Sequence, residues 1–183
     1  AILAVTGRLK LVRALSRAQW RRSFLLGALN PFLYYTILFA AYDLLPAQEA
    51  QPLNYTWAIT LSLLAVPMLG QKLRGRDVAA LVVSYAGVVV IATHGDVLGL
   101  HFASPSGVVL ALVSTVVWAL YWILGTKDDR DPVVGLLANF LCSLPLTLLA
   151  VLCFSNLWPD SWQGLAGAAY VGVFEMGLAF VTW

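Results

Sequence analysis

Charge limits what this chain can fold into more than any other feature, because charged residues are scarce and regularly spaced. They interrupt the sequence at intervals of roughly 20 residues, the length of apolar helix needed to cross a bilayer. Arg22 and Asp43 enclose residues 23–42, Glu49 and Lys72 enclose 50–71, and Asp77 and Asp96 enclose 78–95. Residues 97–126 exceed one span and divide into a connection at 101–105 and a helix from about Ser106. Residues 132–154 form the next span, and 162–183 the last, interrupted only by Glu175. These runs are too long for barrel strands and lack their two-residue alternation. The expected fold is therefore all-α, a polytopic transmembrane helical bundle of about six spans plus a partial one, with the lipid bilayer as its partner. With 61% hydrophobic and 11% charged residues and a mean hydropathy of +0.84, the chain is far from the roughly 25% charge of soluble domains.

Orientation follows from the basic residues. Arg8, Lys10, Arg13, Arg17, Arg21 and Arg22 precede the first full span. Lys72, Arg74 and Arg76 separate the second and third, and Lys127 and Arg130 separate the fourth and fifth. These are all eleven Lys and Arg, and all fall on one side of a six-span topology. The positive-inside rule makes that side cytoplasmic. Lys10, Arg13, Arg17 and Arg21 share one helical face, and the segment is read as a topology-fixing basic loop in preference to a helix lying on an anionic leaflet. Cys142 and Cys153, eleven residues apart in one apolar run, would lie about 16 Å apart along a helix, too far for a disulfide. Residues 1–5 read as the tail of a helix and Trp183 ends mid-segment, so the chain is expected to be an internal part of a longer protein.

Small residues at four-residue spacing mark faces where helices approach closely: Gly107, Ala111, Thr115 and Ala119; Ala80 and Ser84; Gly164, Ala168 and Gly172. An internal repeat is also expected. At an offset of 145 residues, Gly27-Ala-Leu-Asn-Pro31 aligns with Gly172-Val-Phe-Glu-Met176, and Tyr35 with Phe180. Charge bias runs the two copies in opposite directions, the arrangement of inverted-repeat transporters. Asn30, beside a proline that removes a backbone donor, and Glu175 then occupy equivalent places.

Several stretches carry a resemblance to a known family. They are Leu45-Pro-Ala-Gln-Glu-Ala-Gln-Pro-Leu-Asn-Tyr-Thr-Trp57, Leu64-Ala-Val-Pro-Met-Leu-Gly-Gln-Lys-Leu73, Ser84-Tyr-Ala-Gly-Val-Val-Val-Ile91, Trp118-Ala-Leu-Tyr-Trp-Ile-Leu-Gly125 and the Gly-Val-Phe-Glu-Met-Gly-Leu-Ala-Phe run at 172–180. In this order they resemble the EamA family of the drug/metabolite transporter superfamily. Gln71 departs from the glutamate common in that family's turn, and Ala58 from a proline that often follows the tryptophan. The resemblance implies a ten-helix fold of two inverted five-helix repeats. Residues 1–95 would hold the end of helix 2 and helices 3–5 of the first repeat, and residues 96–183 helices 6–8 of the second. It implies a multi-pass protein of a bacterial cell (inner) membrane that moves small organic solutes.

The candidate solute-binding or coupling residues are Glu175, Asn30, Tyr34, Tyr35, Tyr55, Trp57, Trp118 and Tyr121. Glu175 is an ionisable group deep in an apolar run, a position that usually faces a bundle interior or a water-filled cavity; it would carry a proton or a cationic solute group. Asn30 offers a hydrogen bond to solute or to a neighbouring helix. The aromatic residues lie within spans, where each either packs the core or offers a face to amphiphilic or cationic solutes. Trp158 and Trp162 read as interfacial anchors. His94 and His101 lack metal-ligand spacing, and residues 127–131 read as a solvated turn. With no nucleophile–base arrangement and no phosphate loop, no cofactor, metal, enzyme activity or nucleic-acid partner is expected. The rivals to a transporter are a structural or assembly subunit without a solute path and, behind it, a membrane-embedded enzyme.

Overall fold

The computed structural model describes residues 9–93, 95–99, 103–155 and 161–179. They are helical almost throughout: α1 (Leu9–Arg13), α2 (Arg17–Gly27), a π-helical stretch (Ala28–Leu33), α3 (Tyr34–Leu44), α4 (Ala47–Tyr55), α5 (Trp57–Leu69), α6 (Gly75–Ala92), α7 (Pro105–Gly125), α8 (Pro132–Phe154), α9 (Trp162–Tyr170) and a second π-helical stretch (Val171–Ala179). Among the described residues, five segments are long and apolar enough to cross a membrane: Arg17–Leu44, Ala47–Leu69, Gly75–Ala92, Pro105–Gly125 and Pro132–Phe154. The expected sixth span is helical as far as Ala179. Its last residues lie outside the described set, as do the stub at 1–5, His94, His101 and Trp158.

Local chemistry sets the helix starts. The Ser104 hydroxyl accepts the Gly107 N–H (3.2 Å) ahead of Pro105, and the Asp131 carboxylate accepts the N–H groups of Val133 and Val134 (3.1 Å each) ahead of Pro132. Each side chain satisfies amides that a helix N-terminus leaves unpaired, and proline fits where no donor is needed. At α2, Ser16 and Gln19 cap each other reciprocally, at 2.8 and 3.2 Å, as a capping box does. α5 ends on Gly70 at φ +69°, a left-handed conformation that glycine adopts without a Cβ clash.

The chain divides into two compact units, Leu25–Asp129 on one hand and Ala1–Phe24 with Arg130–Trp183 on the other. In the first, α7 is the central element, packed by α3, α4 and α5, while α4 also packs on α6. Its apolar core comprises Ala41, Leu45, Ala50, Leu53, Ala92 and Ala111. The small-residue stripe of α7 does what its spacing predicts, since Gly107, Ala111, Thr115 and Ala119 are all buried. A Cβ on Gly107 would lie 2.7 Å from Leu45 Cγ and 3.0 Å from Leu44 Cβ. Gly107→Val is therefore expected to cost about 1–3 kcal/mol by overpacking, read as a lower thermal midpoint of the full-length protein in detergent. The other two stripes correct the sequence reading. Ala80 and Ser84 are exposed, as are Gly164, Ala168 and Gly172; spacing marks a face but does not supply a neighbour.

In the second unit, α1 packs on α8. The turn read as solvated is partly tied down: an Arg130 guanidinium nitrogen donates to the Gln19 carbonyl (3.1 Å) and to the fully buried Ser23 hydroxyl (2.6 Å). Cys142 and Cys153 are free thiols. Trp162, placed at a span edge by the sequence, is exposed.

Candidate solute-binding site

The first span is not one helix. Asn30 has φ −143° and ψ 124°, an extended conformation that breaks the helical ladder one residue before Pro31, where the backbone lacks a donor. Non-helical backbone at membrane depth is tolerated where protein or a water-lined cavity surrounds it. Asn30 is only 1% exposed, yet neither Oδ1 nor Nδ2 has a hydrogen-bond partner among the described residues. A buried amide without a partner costs roughly 1–3 kcal/mol, so Asn30 is held in this conformation at a cost to stability. Leu29, beside it, packs on the buried cluster of Tyr34, Leu38 and Val117.

One turn onward lies a continuous set of rings with Trp118 at its centre. Its centroid is 4.5 Å from that of Tyr34, 6.3 Å from Trp57, 6.2 Å from Tyr121 and 6.1 Å from Trp122. Tyr34 also meets Tyr35 edge-on at 4.8 Å. Such pairs are worth about 0.5–1.5 kcal/mol each beyond their area. Five of the eight candidates drawn from the sequence, Tyr34, Tyr35, Trp57, Trp118 and Tyr121, thus come together from α3, α5 and α7. Trp122 joins them, a ring the sequence reading passed over at i+4 from Trp118.

Polar groups run along one side of the rings. The Tyr34 hydroxyl donates to Asn54 Oδ1 (3.3 Å), Asn54 Nδ2 donates to Ser114 Oγ (3.2 Å), and Ser114 Oγ donates to the Ala111 carbonyl (2.6 Å). The Thr60 and Thr115 hydroxyls are 2.9 Å apart. Asn54, Ser114 and Thr115 are buried, and the sequence reading named none of them as site residues. Their one legible signal was that each is polar inside an otherwise apolar run.

Besides Asn30, two candidates are not brought into this cluster. Tyr55 is 62% exposed and points away from it. It ends α4, and neighbouring helical residues point about 100° apart, so Asn54 turns inward and Tyr55 outward. Glu175 lies in the π-helical stretch Val171–Ala179, and its side chain is outside the described residues. Glu49, read only as a span boundary, is 2% exposed and its carboxylate accepts the Ala103 N–H at 3.4 Å. Among the described residues no group of His, Cys, Asp or Glu has the arrangement of a metal site.

Residues 1–93 match the model of the EamA-like transporter family. The aromatic amino acid exporter YddG of Ancylobacter novellus is 30% identical over 157 residues, covering 83% of this chain and 53% of that protein. The uncharacterized transporter YvbV of Bacillus subtilis is 26% identical over 172 residues, 90% of this chain and 54% of that protein. An uncharacterized transporter of Archaeoglobus fulgidus is 29% identical over 174 residues, 92% of this chain and 59% of that protein. The chain thus spans little more than half the length of these relatives. No solved structure matches it significantly.

Proposed function

Because the chain belongs to the EamA-like transporter family, we propose that it carries the solute site of a secondary transporter working by alternating access, with the Trp118 ring cluster as the site. The observation that carries this reading is the juxtaposition of six aromatic rings with the buried Asn54–Ser114 pair within apolar spans, one turn along the first span from the buried Asn30 amide, which has no hydrogen-bond partner among the described residues. Rings on α3, α5 and α7 close on one another here. A flat solute takes the place of one ring contact when the helices part, and the amides and hydroxyls receive its polar groups. An aromatic amino acid, the cargo in the name of the Ancylobacter novellus relative, fits this chemistry. The full-length protein should be stabilised against heat by phenylalanine or tryptophan and not by aliphatic amines; equal response to both would remove the ring cluster from recognition.

The inverted repeat forms part of the proposal, with residues 1–95 and 96–183 as portions of its two copies in a ten-helix bundle of a bacterial cytoplasmic membrane. Support comes from the backbone. The kinked stretch at Ala28–Leu33, shifted by the 145-residue offset, falls inside Val171–Ala179, where the backbone also departs from α-helix. Asn30 and Glu175 then hold matching places, and Glu175 is the proposed coupling group for a proton. Glu175→Gln should cut transport at least about tenfold in the full-length protein, the low end for removing a group used in each cycle, with membrane insertion unchanged. Unaltered transport would exclude Glu175 from the mechanism.

A further inference from the structure

α5 and α6 are joined by the turn at residues 70–74 and leave a groove of about 640 Å³ between them. Its lining is wholly apolar and includes Ile59, Leu63, Leu73, Val78, Val82 and Val90. Leu63, Val78, Val82 and Val90 are among the exposed large hydrophobic residues, so the groove is open along its side. From Val78 to Val90 it follows α6 for about 18 Å at roughly 1.5 Å per residue, and its lining continues to Val97 beyond the helix end. It therefore runs past the middle of a hydrocarbon core of about 30 Å, with room for an acyl chain in its cytoplasmic half.

The two ends differ in charge. Leu73 and Val78 bound the groove where the turn carries Lys72, Arg74 and Arg76, the side assigned to the cytoplasm by the basic-residue bias. Lys72 and Arg74 are exposed and have no acidic partner among the described residues. Arg76 lies 3.7 Å from Asp77 but is largely exposed. Asp77, the carboxylate at this end, accepts the Arg74 backbone N–H (2.8 Å), which holds it at the helix start. An apolar channel open along its side, with cations that lack an acidic partner among the described residues at its cytoplasmic end, suits an acyl chain and an anionic headgroup.

We propose that this groove binds an anionic phospholipid of the cytoplasmic leaflet, one acyl chain lying between α5 and α6 and the phosphate resting on Lys72 and Arg74. Arginine suits a phosphate because its planar fork offers paired donors. A basic residue near an anionic membrane surface is worth about fivefold in affinity at low salt. The inference stands apart from the solute site and does not depend on it.

The test uses the full-length protein with Val82→Cys carrying a fluorophore, in phosphatidylcholine bilayers doped with lipids brominated on their acyl chains. Brominated phosphatidylglycerol should quench several-fold more than brominated phosphatidylcholine at equal mole fraction. Lys72→Gln with Arg74→Gln should abolish the excess, and Arg74→Lys, which keeps the topology-setting charge but not the paired donors, should leave an intermediate excess. The same label at Val83, which lies on an exposed adjoining face, should show no headgroup preference. Three results would overturn the proposal: no quenching at Val82 by either lipid, which means protein fills the groove; equal quenching by both; or the same preference at Val83.

Discussion

Replacing Trp118 by phenylalanine in the full-length transporter is expected to weaken solute binding about two- to tenfold while the protein still folds. Trp118 touches Tyr34, Trp57, Tyr121 and Trp122, so alanine there would remove every one of these contacts. Deleting a buried tryptophan to alanine costs about 3–5 kcal/mol, enough to unfold a marginal membrane protein and leave function unreadable. Phenylalanine keeps one ring and most of the apolar volume, and the structural cost falls to about 1–2 kcal/mol. The stacking surface offered to a solute shrinks by one ring, worth about 0.5–1.5 kcal/mol, which is up to roughly tenfold in affinity. The check is the concentration of phenylalanine needed to raise the thermal midpoint halfway. A residue that only packs the core would lower the midpoint without moving that concentration.

Asn30→Leu is expected to separate stability from transport in the opposite sense. The Asn30 amide is buried and without a partner among the described residues, so its desolvation is uncompensated in this conformation. An apolar side chain of similar volume removes that penalty, and the thermal midpoint should hold or rise by the equivalent of about 1–2 kcal/mol. Transport should fall by at least an order of magnitude, because solute loses a donor and an acceptor in a low-dielectric site, where unpaired groups are costly. By contrast, Asn54→Leu strips the Tyr34 hydroxyl and the Ser114 hydroxyl of a partner and should destabilise. Membrane hydrogen bonds average about 0.6 kcal/mol, so that loss should be modest. Proteoliposome uptake and thermal unfolding on the same preparations distinguish the two asparagines.

The spans were legible because each is bounded by charge. The run placed at 132–154 is α8, Pro132–Phe154, and the helix placed from Ser106 begins at Pro105. The break in the first span was foreshadowed by Pro31. The break in the second was not: Thr56, whose hydroxyl bonds back to the Leu53 carbonyl at 2.7 Å, separates α4 from α5 although neither neighbour is glycine or proline. Span edges were short by several residues where a charge sits inside a helix rather than beyond it, as Glu49 does in α4. The ring cluster was readable as a set of aromatic residues in mid-span, but not as an assembly. Which rings meet depends on contacts such as Asn54 with Ser114, sixty residues apart in sequence, and on the rotation of each helix, which moved Tyr55 out and Trp122 in. The equivalence of Asn30 and Glu175 rests on an alignment of apolar sequence together with departures from α-helix at both places.

Tyr121 gives the most direct test of alternating access at this site. It is 9% exposed, so a cysteine there is shielded from water in the conformation described. In the full-length protein with Cys142 and Cys153 replaced by alanine, Tyr121→Cys should react with a water-soluble thiol reagent as the helices part, and saturating phenylalanine should slow that reaction several-fold. A folded Tyr121→Cys protein that never reacts, or that reacts at the same rate with and without solute, would contradict the assignment of the Trp118 cluster as the transport site.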